Sequence, residues 1–273
     1  MGGSKVIAVD LGGSYLRIAL LRGNKILKYE KKETPKNKND LIKVLIESID
    51  SLMSKEVKGI GVASPGPLIN GIIKNPPNIP LKNYNLRKVL KDKFKVRVEI
   101  ENDASCVALA EAKYGCKKKN FFILTLGTGI GGGIIINGEL YKGGGYAGEL
   151  GYIVLDNGKS FEYLASKKRT IFLSEKYFGK KVLISDLIKM NDSRAKKIIK
   201  ELSSYLGQGI ASLINVFDPE VVVLAGGIRE IGGGFLSQVK KEAYRYILLP
   251  KKTPIVWSKL EHPGILGAGL LIK

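Results

Sequence analysis

The chain has 273 residues, enough for two domains rather than one small core. Hydrophobic residues make up 44% and charged residues 26%, which excludes a disordered or membrane-embedded chain and suits a soluble globular one. The formal net charge of +20 fits a nucleic-acid or nucleotide partner, or simply a lysine-rich solvated surface; without interleaved aromatics or a helix-turn-helix signature, no nucleic-acid partner is expected.

Lys5–Asp10 reads as an apolar strand ending in an acid, followed by the turn Leu11-Gly12-Gly13-Ser14 and a second strand, Leu16–Leu21. Arg22–Lys25 is a turn and Ile26–Glu30 a third strand. A glycine turn between two strands differs from the strand–turn–helix of a P-loop or dinucleotide-binding unit and argues against both. Leu41–Met53 carries apolar residues at helical spacing; Val96–Glu101 is a strand, and Ala104–Tyr114 is again helical.

The opening design then recurs. Phe121–Leu126 is an apolar strand, Gly127–Gly132 turns the chain, Gly133–Ile136 returns it, and the hairpin signal Asn137-Gly138 leads into Glu139–Tyr141. Two copies of one unusual unit predict two similar domains facing each other across a cleft. Ala195–Phe217 is a long helix stopped by Asp218-Pro219. A buried-type strand, Glu220–Leu224, runs into Ala225-Gly226-Gly227-Ile228, and a last helical stretch spans Phe235 to about Tyr246. The apolar runs Val6–Val9, Phe121–Leu126 and Val221–Ala225 are far shorter than a membrane span, so no membrane partner is expected. Cys106 and Cys116 form neither a CxxC pair nor a disulfide framework, and no signal segment precedes Lys5; a cytoplasmic location is expected.

Facing glycine hairpins would offer backbone N–H groups to nucleotide phosphates, because a Cβ would block close approach. Ser14 and Thr128 add hydroxyl donors, and an acid beside such a loop, Asp10, most simply holds Mg²⁺ through its water shell. Either loop alone reads equally as a tight hairpin turn with Asp10 capping it, and Gly226-Gly227 alone as a plain helix entry.

In this order the chain resembles the ROK sugar kinases, a branch of the hexokinase–actin–heat-shock chaperone superfamily. The resemblance is carried by Asp10–Ser14, Gly61–Asn78 with Ser64-Pro65-Gly66 and Pro77-Asn78, and Glu101-Asn102-Asp103-Ala104. It continues through Leu126–Gly133, Gly148–Gly151, Phe161–Ser166 and Leu224–Ile228, collinear over most of the chain. It implies a two-lobed α/β actin-like ATPase fold of the ribonuclease H type, with residues 1–105 plus a C-terminal helix at about 262–273 in one lobe and 106–261 in the other. It implies ATP and Mg²⁺ as cofactors, a sugar as substrate and a homodimer.

Residue by residue, Asp103 is similar to the family's catalytic base and Asn102 to a sugar-hydroxyl ligand. Glu149 and Glu162 resemble the acids that hold the far hydroxyls, and Ser64, Gly66 and Asn78 would line the same pocket. Gly12, Gly13, Ser14, Gly127, Thr128, Gly129, Gly226 and Gly227 would contact the nucleotide, with Asp10 organising Mg²⁺. From its position alone, Asp103 equally suits an N-cap of the following helix. Most relatives follow Gly151 with a histidine and then three cysteines that bind zinc; here Tyr152 follows, Ile153–Ser160 has no cysteine, and the single histidine is His262. No zinc site is therefore expected. The resemblance implies transfer to the 6-hydroxyl of a hexose, glucose or several hexoses, with N-acetylglucosamine or N-acetylmannosamine as the alternative. A non-catalytic sugar-sensing regulator and a sugar-independent ATPase are rivals of another class; the hairpin beginning by Lys5 leaves no room before it for a DNA-binding region.

Overall fold

The computed structural model describes residues 4–272. The elements begin with β1 (Lys5–Leu11), β2 (Tyr15–Arg22), β3 (Lys25–Glu33), α1 (Lys38–Asp50), β4 (Val57–Ser64), β5 (Leu68–Ile69), β6 (Ile72–Ile73), α2 (Leu86–Phe94), β7 (Arg97–Asn102) and α3 (Asp103–Lys113). Next come β8 (Phe121–Leu126), β9 (Ile130–Ile136), β10 (Glu139–Leu140), β11 (Val154–Asp156), β12 (Lys159–Ser160), α4 (Phe161–Ala165), α5 (Lys167–Phe178) and α6 (Ile184–Lys189). The chain closes with α7 (Ser193–Phe217), β13 (Val221–Ala225), α8 (Gly233–Ala243), β14 (Ile255–Trp257) and α9 (Pro263–Leu270).

These elements form two compact units: residues 1–117 with 142–147 and 260–273, and residues 118–141 with 148–259. A boundary at 105 would cut α3, which packs along α9 and so lies whole in the first unit. Each unit is built on the same sheet design. In the first the strand order is β3-β2-β1-β4-β7, and in the second β10-β9-β8-β13-β14. In both, a three-stranded antiparallel meander is extended on its first strand by two parallel strands. The central strands are apolar at consecutive positions because both faces are covered. The edge strand β3 instead carries Lys28, Glu30, Lys31, Lys32 and Glu33, which discourages pairing with another chain.

Each unit has its own core. Ile7, Val9, Ile18, Leu41, Leu45, Ile60 and Leu90 centre the first; Phe122, Leu124, Phe161, Ile198, Leu206, Ile210 and Val222 centre the second. The expected turn Gly127–Gly132 is shorter than the sequence suggests: Gly131, Gly132 and Gly133 are strand residues paired with Thr125, Leu124 and Ile123. Their glycine character serves packing, since a Cβ on Gly132 would lie 2.6 Å from the Gly148 carbonyl oxygen. Among the described residues no helix is long and apolar enough to cross a membrane.

The last helix lies against the first sheet through missing side chains. A Cβ on Gly267 would overlap the Cys106 carbonyl, and one on Gly61 would overlap the Ala268 carbonyl. Both obstacles are backbone and cannot rotate away. Gly267→Ala is therefore expected to cost about 3 kcal/mol and to lower Tm by at least about 6 °C. Gly144→Ala, whose Cβ would meet nothing within 4 Å, should stay within about 0.5 kcal/mol of the parent in the same thermal melt.

Candidate functional site

Parallel pairing in the first unit aligns the carboxyl ends of three strands. Asp10 is in register with Ala63, Ala63 with Glu101, and Ser64 with Asn102. Ser64 is buried, while Asp10, Asn102 and Asp103 are half-buried on that rim, the edge at which open α/β sheets bind ligands. The grouping is visible in Cys106 behind the rim: burial, then the carboxylates of Glu101, Asp103 and Asp10, push its thiol well above the ordinary range.

Asn102, expected as a sugar ligand, is the N-cap of α3, its Oδ1 accepting from Ala104 N at 2.9 Å and Ser105 N at 3.1 Å. The cap role weighed for Asp103 thus falls one residue earlier. Asp103 is the first helical residue, where exposed amides favour a negative side chain. Glu101 accepts from Asn102 N at 2.9 Å and pairs with Lys142, which opens the Gly143-Gly144-Gly145 turn. The sequence reading named neither Glu101 nor Lys142 as a site residue; they stand 41 positions apart and no local signal joins them.

The turn Gly12-Gly13-Ser14 is held from behind. Thr34 Oγ1 donates to the Gly12 carbonyl at 2.6 Å and Lys36 Nζ to the Gly13 carbonyl at 3.1 Å. Asn78, in the left-handed region at φ 65°, packs on this turn: a Cβ on Gly13 would lie 2.7 Å from the Asn78 Cβ. Gly66, at φ 85°, lies against Pro76. Asp10 accepts from Arg17 Nη1 at 3.1 Å, and its carboxyl carbon would be 3.1 Å from a Cβ on Gly264, at the start of α9. Burial raises the Asp10 pKa, opposed by Arg17 and by His262, which stacks on Tyr29 at 4.7 Å.

In the second unit the turn Gly127-Thr128-Gly129 is closed by Gly127 N donating to the Gly129 carbonyl at 3.0 Å. Gly226, at φ 102°, abuts the Leu126 carbonyl, so Gly226-Gly227 lies alongside this turn. Gly127 and Gly227 are exposed, and a Cβ on either would meet nothing within 4 Å, leaving open backbone of the kind phosphate oxygens can approach. Glu162, expected as a sugar ligand, spends one oxygen on the turn itself: Oε2 accepts from Ile130 N at 2.8 Å and leaves no space for a side chain at Gly129. Glu149 lies near enough to feel this carboxylate; burial and then the Glu162 charge raise its pKa. The backbone around Glu149 is fixed by Gly148, at φ 104° against Gly132, and by Gly151 against the Ile130 carbonyl.

Tyr152 is 66% exposed. The stretch after it folds as the β11–β12 hairpin around Asn157 and Gly158, both at positive φ. Tyr205 donates to Asp156 at 2.9 Å and fastens the hairpin to α7. Among the described residues no three His, Cys, Asp or Glu side chains gather as a metal site.

Comparison with known proteins matches residues 6–273 to the ROK family model. A glucokinase from Thermotoga maritima is 33% identical over 308 residues, spanning 98% of this chain and 97% of that one. A xylose repressor from Bacillus spizizenii is 29% identical over 260 residues, spanning 86% and 67%. Among solved structures, a ROK hexokinase from Thermus thermophilus superposes with a TM-score of 0.87 at 30% identity, covering 98% and 97%.

Because the folded state raises the Glu149 pKa, it binds that proton more readily than the unfolded chain does. Stability from this group is complete below the ordinary carboxylate pKa and is lost as pH rises through the folded value. Glu149→Gln should therefore raise Tm by up to about 2 °C at pH 7, a modest gain because the residue is solvent-accessible. The difference should vanish near about pH 3.5, as read by thermal melts across pH.

Proposed function

As the chain belongs to the ROK family, with the actin-like ATPase fold, we propose that it is an ATP-dependent sugar kinase acting on the 6-hydroxyl of a hexose, glucose or several hexoses. The observation that carries this reading is the rim of the first sheet, where β1 and β7, on either side of β4, end in Asp10 beside a glycine turn and in Asn102, which is followed by Asp103 at the head of α3. A nucleotide loop alone would suit any ATPase; the second carboxylate is what a hydroxyl acceptor needs.

In this reading Asp103 accepts the proton of the sugar hydroxyl as its oxygen attacks the γ-phosphorus. Its place at the head of α3, set by the Asn102 cap, holds the carboxylate still. With Oδ1 engaged in the cap, Asn102 keeps its amide nitrogen as a donor to a sugar oxygen. Ser64, Gly66 and Asn78 line the sugar's approach on the same unit, and Glu149 and Glu162 provide carboxylate acceptors from the other. The turns Gly12-Gly13-Ser14, Gly127-Thr128-Gly129 and Gly226-Gly227 are proposed to cradle ATP by backbone N–H groups other than those of Gly12 and Gly127, which donate within their own turns.

Asp10 fits a Mg²⁺ held through water rather than directly, since Arg17 already occupies its Oδ2. Such an ion would neutralise charge on the phosphates. A homodimer and a cytoplasmic setting are proposed from the family alone. The similarity to a xylose repressor favours one second reading, a sugar-responsive regulator without catalysis.

A coupled ADP-release assay with Mg-ATP against glucose, mannose, fructose, N-acetylglucosamine and N-acetylmannosamine separates these. Sugar-dependent release, falling about 10²- to 10⁴-fold in Asp103→Asn, is expected. Sugar binding without turnover would establish the regulator instead, and release indifferent to every sugar would establish a plain ATPase.

A further inference from the structure

Asp10 and Arg17 are directly opposite each other on antiparallel β1 and β2, so both side chains leave the same face of the sheet. The guanidinium donates to Asp10 Oδ2 at 3.1 Å and lies beneath the glycine turn, where a Cβ on Gly12 would be 3.7 Å from Nη1. Gly264 also closes against the carboxyl group, with a Cβ there 3.1 Å from Cγ and 3.2 and 3.3 Å from the two oxygens. Arg17 also leans over the Tyr15 ring, 5.9 Å from its centroid. The carboxylate is thus gripped by a cation and by a wall of backbone.

We propose that Arg17 is the positioning residue of the metal–nucleotide site: it fixes the rotamer of Asp10 and offsets the cost of its charge, leaving Oδ1 to face the metal's water shell. This rests on the kinase reading above. An unaccompanied carboxylate behind a phosphate-binding turn would repel the nucleotide before a metal arrived. A guanidinium on the same sheet face cancels that repulsion from beneath the turn. Arg17 would therefore act on how tightly Mg-ATP is held relative to metal-free ATP, and hardly at all on the sugar.

In the folded sheet Leu11 stands opposite Leu16, and the next pair outward is Asp10 and Arg17.

The test compares wild type with Arg17→Met, which keeps length and removes charge, and Arg17→Lys, which keeps charge and loses the fork. Equilibrium binding is measured by titration calorimetry for ATP with Mg²⁺, ATP with a chelator, and glucose. Arg17→Met should weaken Mg-ATP about tenfold or more, change glucose binding less than about twofold, and leave Arg17→Lys between the two. The advantage of Mg-ATP over metal-free ATP should shrink with it.

A purely structural role would lower Tm and weaken all three ligands alike, and would overturn the proposal. So would a Met variant whose Mg-ATP affinity stays within about twofold of wild type while wild type binds Mg-ATP normally; that outcome leaves the kinase reading intact. A wild-type chain that binds no nucleotide would instead sink the kinase reading, and the role of Arg17 with it.

Discussion

The parallel pairing of β1, β4 and β7 is the constraint on which the candidate site depends. Once Asp10 is in register with Ala63, and Ala63 with Glu101, the ends of three strands stop at one level. Residues far apart in sequence then share a rim: an acid after the first strand, a buried serine after the second, and the Asn102-Asp103 pair after the third. Helix α3 starts at that level too, because Asn102 caps it, so the same hydrogen bonds that end the strand orient Asp103.

Glycine does two physically different jobs in this protein. At Gly127 and Gly227 it leaves the backbone bare and open, as a ligand-facing turn requires. At Gly61, Gly132, Gly151 and Gly267 it allows one backbone to lie on another. Composition counts both alike, which is why the run from Gly127 to Gly133 looks like a longer loop than the three-residue turn it contains. The carboxylates divide similarly. Glu162 is half consumed in steadying the glycine turn, whereas Asp10 and Glu101 each carry a basic partner, Arg17 and Lys142.

Such partners matter because the rim gathers negative charge in partly dehydrated surroundings. The raised pKa values of Asp10, Glu149 and the Cys106 thiol share one first cause, the ionised form losing water; at Glu149 and Cys106 neighbours of like charge add to it, whereas at Asp10 Arg17 and His262 oppose it. In the first unit two cations from β2 and the Lys142 turn offset part of it. In the second, the Glu162 charge adds to the effect of burial on Glu149.

By itself the sequence determined the repeated meander, the strands β1, β2, β8 and β13, the helices α1, α3 and α7, and the order of the family's segments. These rest on short-range signals: apolar runs, glycine turns, the Asn137-Gly138 hairpin, helical spacing. The short elements β5, β6, β11 and β12 and the helices α2, α4, α5 and α6 were not legible, because their stability comes from packing rather than from a periodic pattern of their own. Only the tertiary structure decided that Lys142 reaches Glu101, that Asn102 rather than Asp103 caps α3, and that Glu162 turns back to Ile130 N. Each of these is a contact between distant segments or a choice between adjacent side chains, and local sequence carries no term that selects it.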